Sequence, residues 1–470
     1  MATQRVSVPR LHPRRLERVL TPQQAEDLEQ MIARGRELFA GRVLWNVSST
    51  AYGGGVAEML HSLLAYVRGA DIDARWVVID GPPDFFRITK RLHNRLHGTD
   101  GDGGELGEPE RAAYERASEE NARELLEVVR PGDVVLLHDP QPAGLVPPLV
   151  RAGATVVWRC HIGVDKPNHL AREAWDFLRA DVSEAAAYVF SRPSYVWDGL
   201  DPARVAVIPP SIDIFSPKNQ PMAFSAVAAV LGVMGLGEGA CGGRPVYERE
   251  DGSPARVDRR ANLVEEESLD LVQPTMLQVS RWDRLKDHAG VMEAFDCCIA
   301  PRAPDVHLVL AGPDTEGVAD DPEGAEVYES LRAGWEELDP RVRRRVHLAS
   351  LPMADAAENA AMVNALQRRA DVVVQKSLAE GFGLTVSEAM WKGRPLVAGA
   401  VGGINDQVVD EDTGLLVDPT DLEAFGAAVA RLFGDPGAAT RMGDRAQIRV
   451  REHFLGPRHL AQYVELLGGL

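Results

Sequence analysis

Residues 372–399 constrain the fold more than any other part of the sequence. Val372, Val373 and Val374 form an apolar, β-branched run that reads as a buried strand. A loop punctuated by Gly381 and Gly383 follows, and the pattern predicts a helix over 384–392, stopped by Gly393 and Pro395. Residues 395–399 read as the next strand, which completes a strand–loop–helix–strand unit. The unit carries two carboxylates eight residues apart, Glu380 and Glu388. The glycines interrupt helical continuity between them. Glu380 therefore falls in the loop at the strand's carboxyl end, and Glu388 about one turn into the helix. Open parallel sheets bind ligands at that edge, and the N–H groups of a helix start attract anions. The unit thus offers an anion site beside two acceptors suited to hydroxyl groups.

The same alternation runs along most of the chain. Strands are expected at 42–47, 74–80, 134–138, 155–161 and 205–208, with helices at 22–38, 56–67, 84–97 and 110–129. A second series begins at 275–280 and continues through 307–312, 346–348 and the 371–399 unit. These βα units predict an α/β protein of two Rossmann-like, doubly wound domains facing each other across a cleft. The boundaries expected are a first domain over 1–215, a linker and surface insertion over 216–270, and a second domain over 271–451. A terminal helix within 452–470 is expected to pack back on the first domain. The insertion is polar, rich in Gly, Arg, Asp and Glu, and reads as having little catalytic content.

At 470 residues the chain is too long for one core. A net charge of −19 argues against nucleic acid or an anionic membrane as the main partner, so an anionic ligand would need a local basic pocket. The four cysteines, Cys160, Cys241, Cys297 and Cys298, contain no C-x-x-C pair and read as reduced thiols of a cytoplasmic protein. The longest apolar runs are too short to span a membrane. Arg10, Arg14, Arg15 and Arg18 make the amino end basic, but no apolar segment follows as a secretory signal requires.

Three further groups stand where chemistry is expected. Gly53, Gly54 and Gly55 separate a strand from a helix; they do not match G-x-G-x-x-G, yet let backbone come close to a phosphate or sugar. Arg281 and Lys286 follow the strand ending at Ser280, and two cations five residues apart suit a diphosphate. His138, Asp139 and His161 stand at the tips of two buried strands, where an imidazole can bind a sugar hydroxyl or move a proton. No metal-ligand spacing, nucleophile elbow or Ser-His-Asp order is present.

Together these pieces resemble the retaining glycosyltransferases of the GT-B fold, family four, over about 40–215 and 271–465. The motifs that carry the resemblance are the three glycines, Arg281 with Lys286, and Glu380-x7-Glu388. The stretches 46–61, 158–162 and 388–393 are similar, more narrowly, to trehalose synthases of the glycosyltransferring type, which join nucleotide-activated glucose to free glucose. The insertion at 220–270 departs from the shorter members.

The resemblance implies roles for individual residues. Arg281 and Lys286 would hold the donor diphosphate, Glu388 the ribose and Glu380 the hydroxyls of the donor sugar. Backbone at Gly54 and Gly55 would approach the diphosphate or sugar, and Gly381, Phe382, Gly383 and Leu384 would flank the donor. His161 would contact the donor sugar beside its anomeric carbon, Asp139 would orient the acceptor, and His138 would share the acceptor pocket. The resemblance implies UDP- or ADP-glucose as donor, glucose or trehalose as the other substrate, and no required cofactor, magnesium being compatible with a nucleotide. It implies no nucleic-acid or membrane partner, and it is compatible with a homodimer. A phosphorylase that uses inorganic phosphate in place of the nucleotide shares much of the pattern. A non-catalytic nucleotide-sugar sensor would keep the donor groups but could lose His161 and Asp139.

Overall fold

The computed structural model describes residues 3–51, 54–237, 243–315 and 322–470. The chain divides into two compact units, one of Met1–Ser211 with Gly456–Leu470, the other of Ile212–Leu455.

The first unit is built on a seven-stranded sheet. Its strands are β1 (Gln4–Val6), β2 (Leu44–Ser48), β3 (Ala74–Val78), β4 (Val134–His138), β5 (Thr155–Cys160), β6 (Ala187–Phe190) and β7 (Val205–Val207). They lie in the order β1-β3-β2-β4-β5-β6-β7. Only β1 is antiparallel, pairing with β3; the other neighbours are parallel. Every residue of β2, β4 and β6 is buried, as expected of parallel strands covered on both faces. Trp45, Phe85, Leu137, Trp158 and Tyr188 belong to the core between sheet and helices. Two buried indole N–H groups of this region are matched by acceptors: Trp45 Nε1 donates to Asp133 Oδ2 at 3.0 Å and Trp76 Nε1 to Ser48 Oγ at 2.8 Å. The sequence reading passes from 155–161 directly to 205–208, but β6 lies between β5 and β7. Its four residues, Ala-Tyr-Val-Phe, are too few to show a period.

The second unit repeats the plan. Its strands are β8 (Val246–Glu248), β9 (Pro254–Arg256), β10 (Asn262–Val264), β11 (Thr275–Val279), β12 (His307–Pro313), β13 (Val346–Leu351), β14 (Val372–Gln375), β15 (Leu396–Gly399) and β16 (Leu415–Val417). β8 and β9 form a separate hairpin, and the rest a sheet in the order β10-β13-β12-β11-β14-β15-β16, antiparallel only at β10. In each sheet the chain winds outward, then crosses back to wind the other way. The reversal falls between β2 and β4 in the first unit and between β11 and β14 in the second. Adjacent βα loops diverge at such a switch point and leave a crevice at the carboxyl ends of the strands.

Residues 216–270, expected as a linker and surface insertion, fall within the second unit: Asn262–Val264 is an edge strand on β13, and the helix Phe224–Met234 packs on the helix Ala356–Arg369. Buried Glu358 accepts from the backbone N–H groups of Asp258 and Arg259 at 2.7 and 2.8 Å, tying the polar stretch down. The cysteines are not all reduced thiols, since adjacent Cys297 and Cys298 are joined as a disulfide within the turn Phe295–Ile299. Cys160 is free and buried, and Cys241 lies outside the described residues. Among the described residues, no helix is long and apolar enough to cross a membrane.

The helix Leu384–Trp391 is held by the helix Pro436–His453, whose Gly443 lies against the backbone of Gly393. A Cβ at position 443 would overlap the Gly393 carbonyl oxygen, a backbone atom that cannot swing away. Gly443→Ala is expected to destabilise the protein by about 1–3 kcal/mol, as overpacking of a close contact does. Urea unfolding of the two proteins checks this; equal midpoints would mean that the helices separate freely.

Candidate active site

In the second unit the site is assembled from the β11 and β14 tips. Asp283 caps a short turn, Arg284–Lys286, by accepting Leu285 N–H at 2.8 Å. That turn brings Lys286 over β14, where its Nζ donates to Glu380 Oε2 at 2.5 Å. Ser377 Oγ lies 3.3 Å from the same oxygen. The two tips are stitched together beneath this pair. Fully buried Gln278 donates to Lys286 O at 2.8 Å and accepts Lys376 N–H at 3.1 Å, while Leu378 N–H reaches Leu285 O at 2.8 Å. Lys376, itself buried, is paired with Asp287.

Gly383 turns the chain into the helix with φ +85°, a conformation that L side chains rarely adopt. A Cβ there would also stand 3.0 Å from Glu380 Cγ and 3.4 Å from Ile404 Cγ1. The helix that follows starts without a side-chain cap. Phe382 is buried, its ring 5.7 Å from that of Phe454. Glu388 is 2% exposed, with Lys218 Nζ 3.7 Å from Oε1. Behind it, buried Lys392 Nζ contacts Asn219 Oδ1 at 2.9 Å, Gln367 Oε1 at 2.7 Å and Glu388 O at 3.1 Å. Burial pushes the Lys392 ammonium well below its ordinary range, against the pull of Glu388. Arg281 is exposed, its NH2 3.3 Å from Asp283 Oδ2.

In the first unit the β2, β4 and β5 tips bring together Asn46, His138, Asp139, Arg159 and His161. His138 Nε2 lies 3.0 Å from Asn46 Oδ1, and His138 Nδ1 lies 3.1 Å from His161 Nε2. Arg159 Nε faces the His161 ring, its NH1 reaches Tyr463 Oη at 2.6 Å and its NH2 donates to Ile208 O at 3.0 Å. Tyr463 comes from the terminal helix Gly456–Gly468, part of this unit. Asp139 adopts φ 70°, which folds its carboxylate back to accept His161 N–H at 2.7 Å. Gly54, before the helix Gly55–Gly69, has an extended φ of 177°, and a Cβ there would meet no atom within 4 Å. Gly53 lies outside the described residues.

Models of two families match this sequence: "Trehalose synthase, N-terminal domain" over residues 46–197 and "Glycosyl transferases group 1" over 260–449. The trehalose synthase of Pyrococcus horikoshii is 36% identical over 446 residues, covering 95% of this chain and 94% of that one. The chain belongs to the trehalose synthase family. Trehalose phosphorylase of Pleurotus pulmonarius is more distant, 28% identical over 86% of this chain, and this chain spans only 54% of its length. Among solved structures, "Trehalose-6-phosphate from E. coli bound with UDP-2-fluoro glucose" matches with a TM-score of 0.67 over 90% of this chain and 99% of that one, at 13% identity. That likeness establishes the GT-B glycosyltransferase fold. The protein is therefore a trehalose-related glycosyltransferase of this family.

Within the family's fold, the second-unit cluster brings Lys286 and Glu380 into direct contact, with Glu388 buried deeper along the helix. His161 and Asp139 are likewise adjacent through one hydrogen bond. His138 is 2% exposed, and its two ring nitrogens meet Asn46 and His161. Sequence reading missed Ser377, Gln278, Arg159 and Lys218. The first two lie within strands or tips already recognised, and their polar character in otherwise apolar strands was an available signal. Lys218 was hidden in the stretch read as linker. Among the described residues, no group of three or more His, Cys, Asp or Glu is arranged to hold a metal ion.

Burial, aided by the Arg159 charge, lowers the His138 imidazole to about 3 and the His161 imidazole well below its ordinary value, so both are neutral near pH 7. Burial raises the Asp139 carboxyl from 3.8 to about 7, against the His161 N–H and Arg159, which favour the anion. The folded state thus holds the Asp139 proton more tightly than the unfolded chain. The stability it contributes is full below about pH 4 and is lost as pH rises through about 7. Relative to Asp139→Asn, the wild-type unfolding free energy should fall across that window and level off above it. Denaturant titrations of both proteins between those limits check the sign, and parallel profiles would contradict it.

Proposed function

We propose that the chain is a retaining glucosyltransferase that moves glucose from UDP- or ADP-glucose onto free glucose, giving trehalose, and that the reaction is reversible. The observation that carries this reading is the contact between Lys286 Nζ and Glu380 at the β11/β14 switch point. It sets a cation for phosphate beside a carboxylate for sugar hydroxyls, with the uncapped helix start at Leu384 next to both. Arg281 joins Lys286 on the diphosphate, where bidentate and point-charge contacts complement each other. Glu388 takes the ribose, a role that inorganic phosphate would leave empty. Gly54 and Gly55 admit ligand at close range because no side chain intervenes. His161 flanks the donor sugar, and Asp139 orients the acceptor hydroxyls.

Breaking the glucosyl–phosphate bond builds cationic charge on the sugar and negative charge on the departing diphosphate. Lys286, Arg281 and the N–H groups of 381–384 stabilise the latter as preorganised dipoles and charges. Glu380 is held by Lys286 and Ser377, which suits a hydrogen-bond acceptor better than a nucleophile of the paired-carboxylate kind. Retention then follows from front-face displacement, the leaving phosphate taking the acceptor proton. A carboxylate at Asp139 favours an unphosphorylated acceptor, since a 6-phosphate beside it would be repelled.

The test is a product assay with labelled UDP-glucose or ADP-glucose and free glucose, run beside trehalose with inorganic phosphate. Non-reducing trehalose is expected from the nucleotide arm, far less product from glucose 6-phosphate, and reversal when trehalose and nucleoside diphosphate are supplied. Phosphate-dependent release of glucose 1-phosphate, with no response to nucleotide, would overturn the reading in favour of a phosphorylase.

A further inference from the structure

Lys218 stands in the stretch that reads as linker, yet its ammonium meets the carboxylate that takes the ribose in the reading above. Glu388 is 2% exposed, and Lys218 Nζ lies 3.7 Å from its Oε1. A carboxylate so deeply buried is costly without a cation beside it. The other ammonium nearby does not take that part. Lys392 Nζ is spent on Asn219 Oδ1, Gln367 Oε1 and the backbone oxygen of Glu388. Lys218 Nζ is outside hydrogen-bond range of Oε1, so it balances the charge without serving that oxygen as a donor. The backbone on both sides of Lys218 is fixed. Buried Asn364 Nδ2 donates to Pro217 O and to Gln220 O, each at 3.0 Å. Arg368 NH2 reaches Asn219 O at 3.2 Å and Gln220 O at 2.8 Å, and Trp391 Nε1 reaches Asn219 O at 3.2 Å. Residues 217–220 are thereby seated on the helix Ala356–Arg369 and on the helix that carries Glu388. Gln220 also exchanges two side-chain bonds with Glu248 of β8, at 2.7 and 3.0 Å, which ties the hairpin to the same stretch.

From this geometry we infer that Lys218 is a positioning residue for the nucleoside end of the donor: it holds the Glu388 carboxylate in place for the ribose hydroxyls, and the clamped residues 217–220 hold Lys218. A hydroxyl bound by an anion is held more tightly than one bound by a neutral oxygen. Without its cation, buried Glu388 would turn away or take up a proton, and that advantage would be lost. The preference for a ribonucleotide then depends on two residues, one from the helix and one from the stretch before β8. The inference rests on the ribose role proposed for Glu388 and adds to it the cation that this role needs.

The experiment measures binding of UDP and of ADP, each beside its 2′,3′-dideoxy counterpart, by titration calorimetry on the full-length protein and its variants. The nucleotide that fits should bind the wild type about 10- to 100-fold more tightly than its dideoxy form, the range of hydrogen bonds to a charged group. Lys218→Met should bring the ribonucleotide close to the dideoxy form and leave the dideoxy form within about threefold of wild type. Lys218→Arg, which keeps the charge, should restore most of the preference. In Glu388→Gln, where no buried anion is left unpaired, adding Lys218→Met should cost nothing further. In turnover, Lys218→Met should raise KM for the nucleotide-glucose about tenfold, while kcat and KM for free glucose stay within about threefold. Equal loss of affinity for both nucleotide forms would show that Lys218 serves the diphosphate or the fold, and would overturn the inference. So would a Lys218→Met that keeps the wild-type preference, or one whose effect persists undiminished in Glu388→Gln. A wild type that binds both forms equally would remove the ribose role of Glu388 and the inference with it, while the transfer reaction is judged by its product assay. A wild type that binds neither UDP nor ADP would overturn the proposed donor and the inference together.

Discussion

The contact between Lys286 and Glu380 is the constraint to which the second unit is built. Both side chains are mostly buried, 16% and 11% exposed, so neither is tolerated there without a partner. Each arrives from a different strand tip, and holding them 2.5 Å apart requires those tips to be fixed to one another. Gln278 and the Leu378–Leu285 backbone bond do this on the β11 and β14 side. The left-handed Gly383 does it on the helix side, leaving room for the Glu380 side chain. Deeper still, the buried Lys392 fastens Asn219 and Gln367 to the helix that carries Glu388. The charged groups are thus preorganised, and little rearrangement is required when a charged ligand replaces water.

The first unit uses a different economy of charge. Its strand tips hold neutral imidazoles and a carboxyl that titrates near neutrality, all under the influence of one buried cation, Arg159. The guanidinium depresses the imidazoles while its bonds to the His161 ring, to Ile208 O and, on the terminal helix, to Tyr463 Oη keep it in place. That helix, Gly456–Gly468, is separated from the rest of its unit by the whole of the other in sequence, yet it reaches the same cluster as β5. Ser211 and His459, 2.9 Å apart, bind the two ends of the excursion together.

Much of this was legible in the sequence. The 372–399 unit, the two alternating series and the positions of Glu380, Glu388, Lys286 and His161 follow from periodicity, glycine punctuation and the rule that ligands gather at strand carboxyl ends. What was not legible depends on contacts distant in sequence. The Lys218–Glu388 pair joins a segment that reads as linker to one that reads as site. Asn262–Val264 is three residues long and becomes a strand only because β13 offers it an open edge. The adjacent cysteines read as reduced thiols, a reading that does not consider a bond between neighbours in one turn.

The central claim is that Lys286 and Glu380 act as one device, each holding the other where a sugar phosphate needs it. A double-mutant cycle measures this directly: kcat/KM for nucleotide-glucose in the wild type, Lys286→Met, Glu380→Gln and the double variant. Coupled residues in contact show interaction energies of about 0.5–3 kcal/mol. The account predicts a double variant much less impaired than the two single losses combined, because either substitution alone already dismantles the pair. Losses that simply add would show that the two residues act independently, and would contradict it.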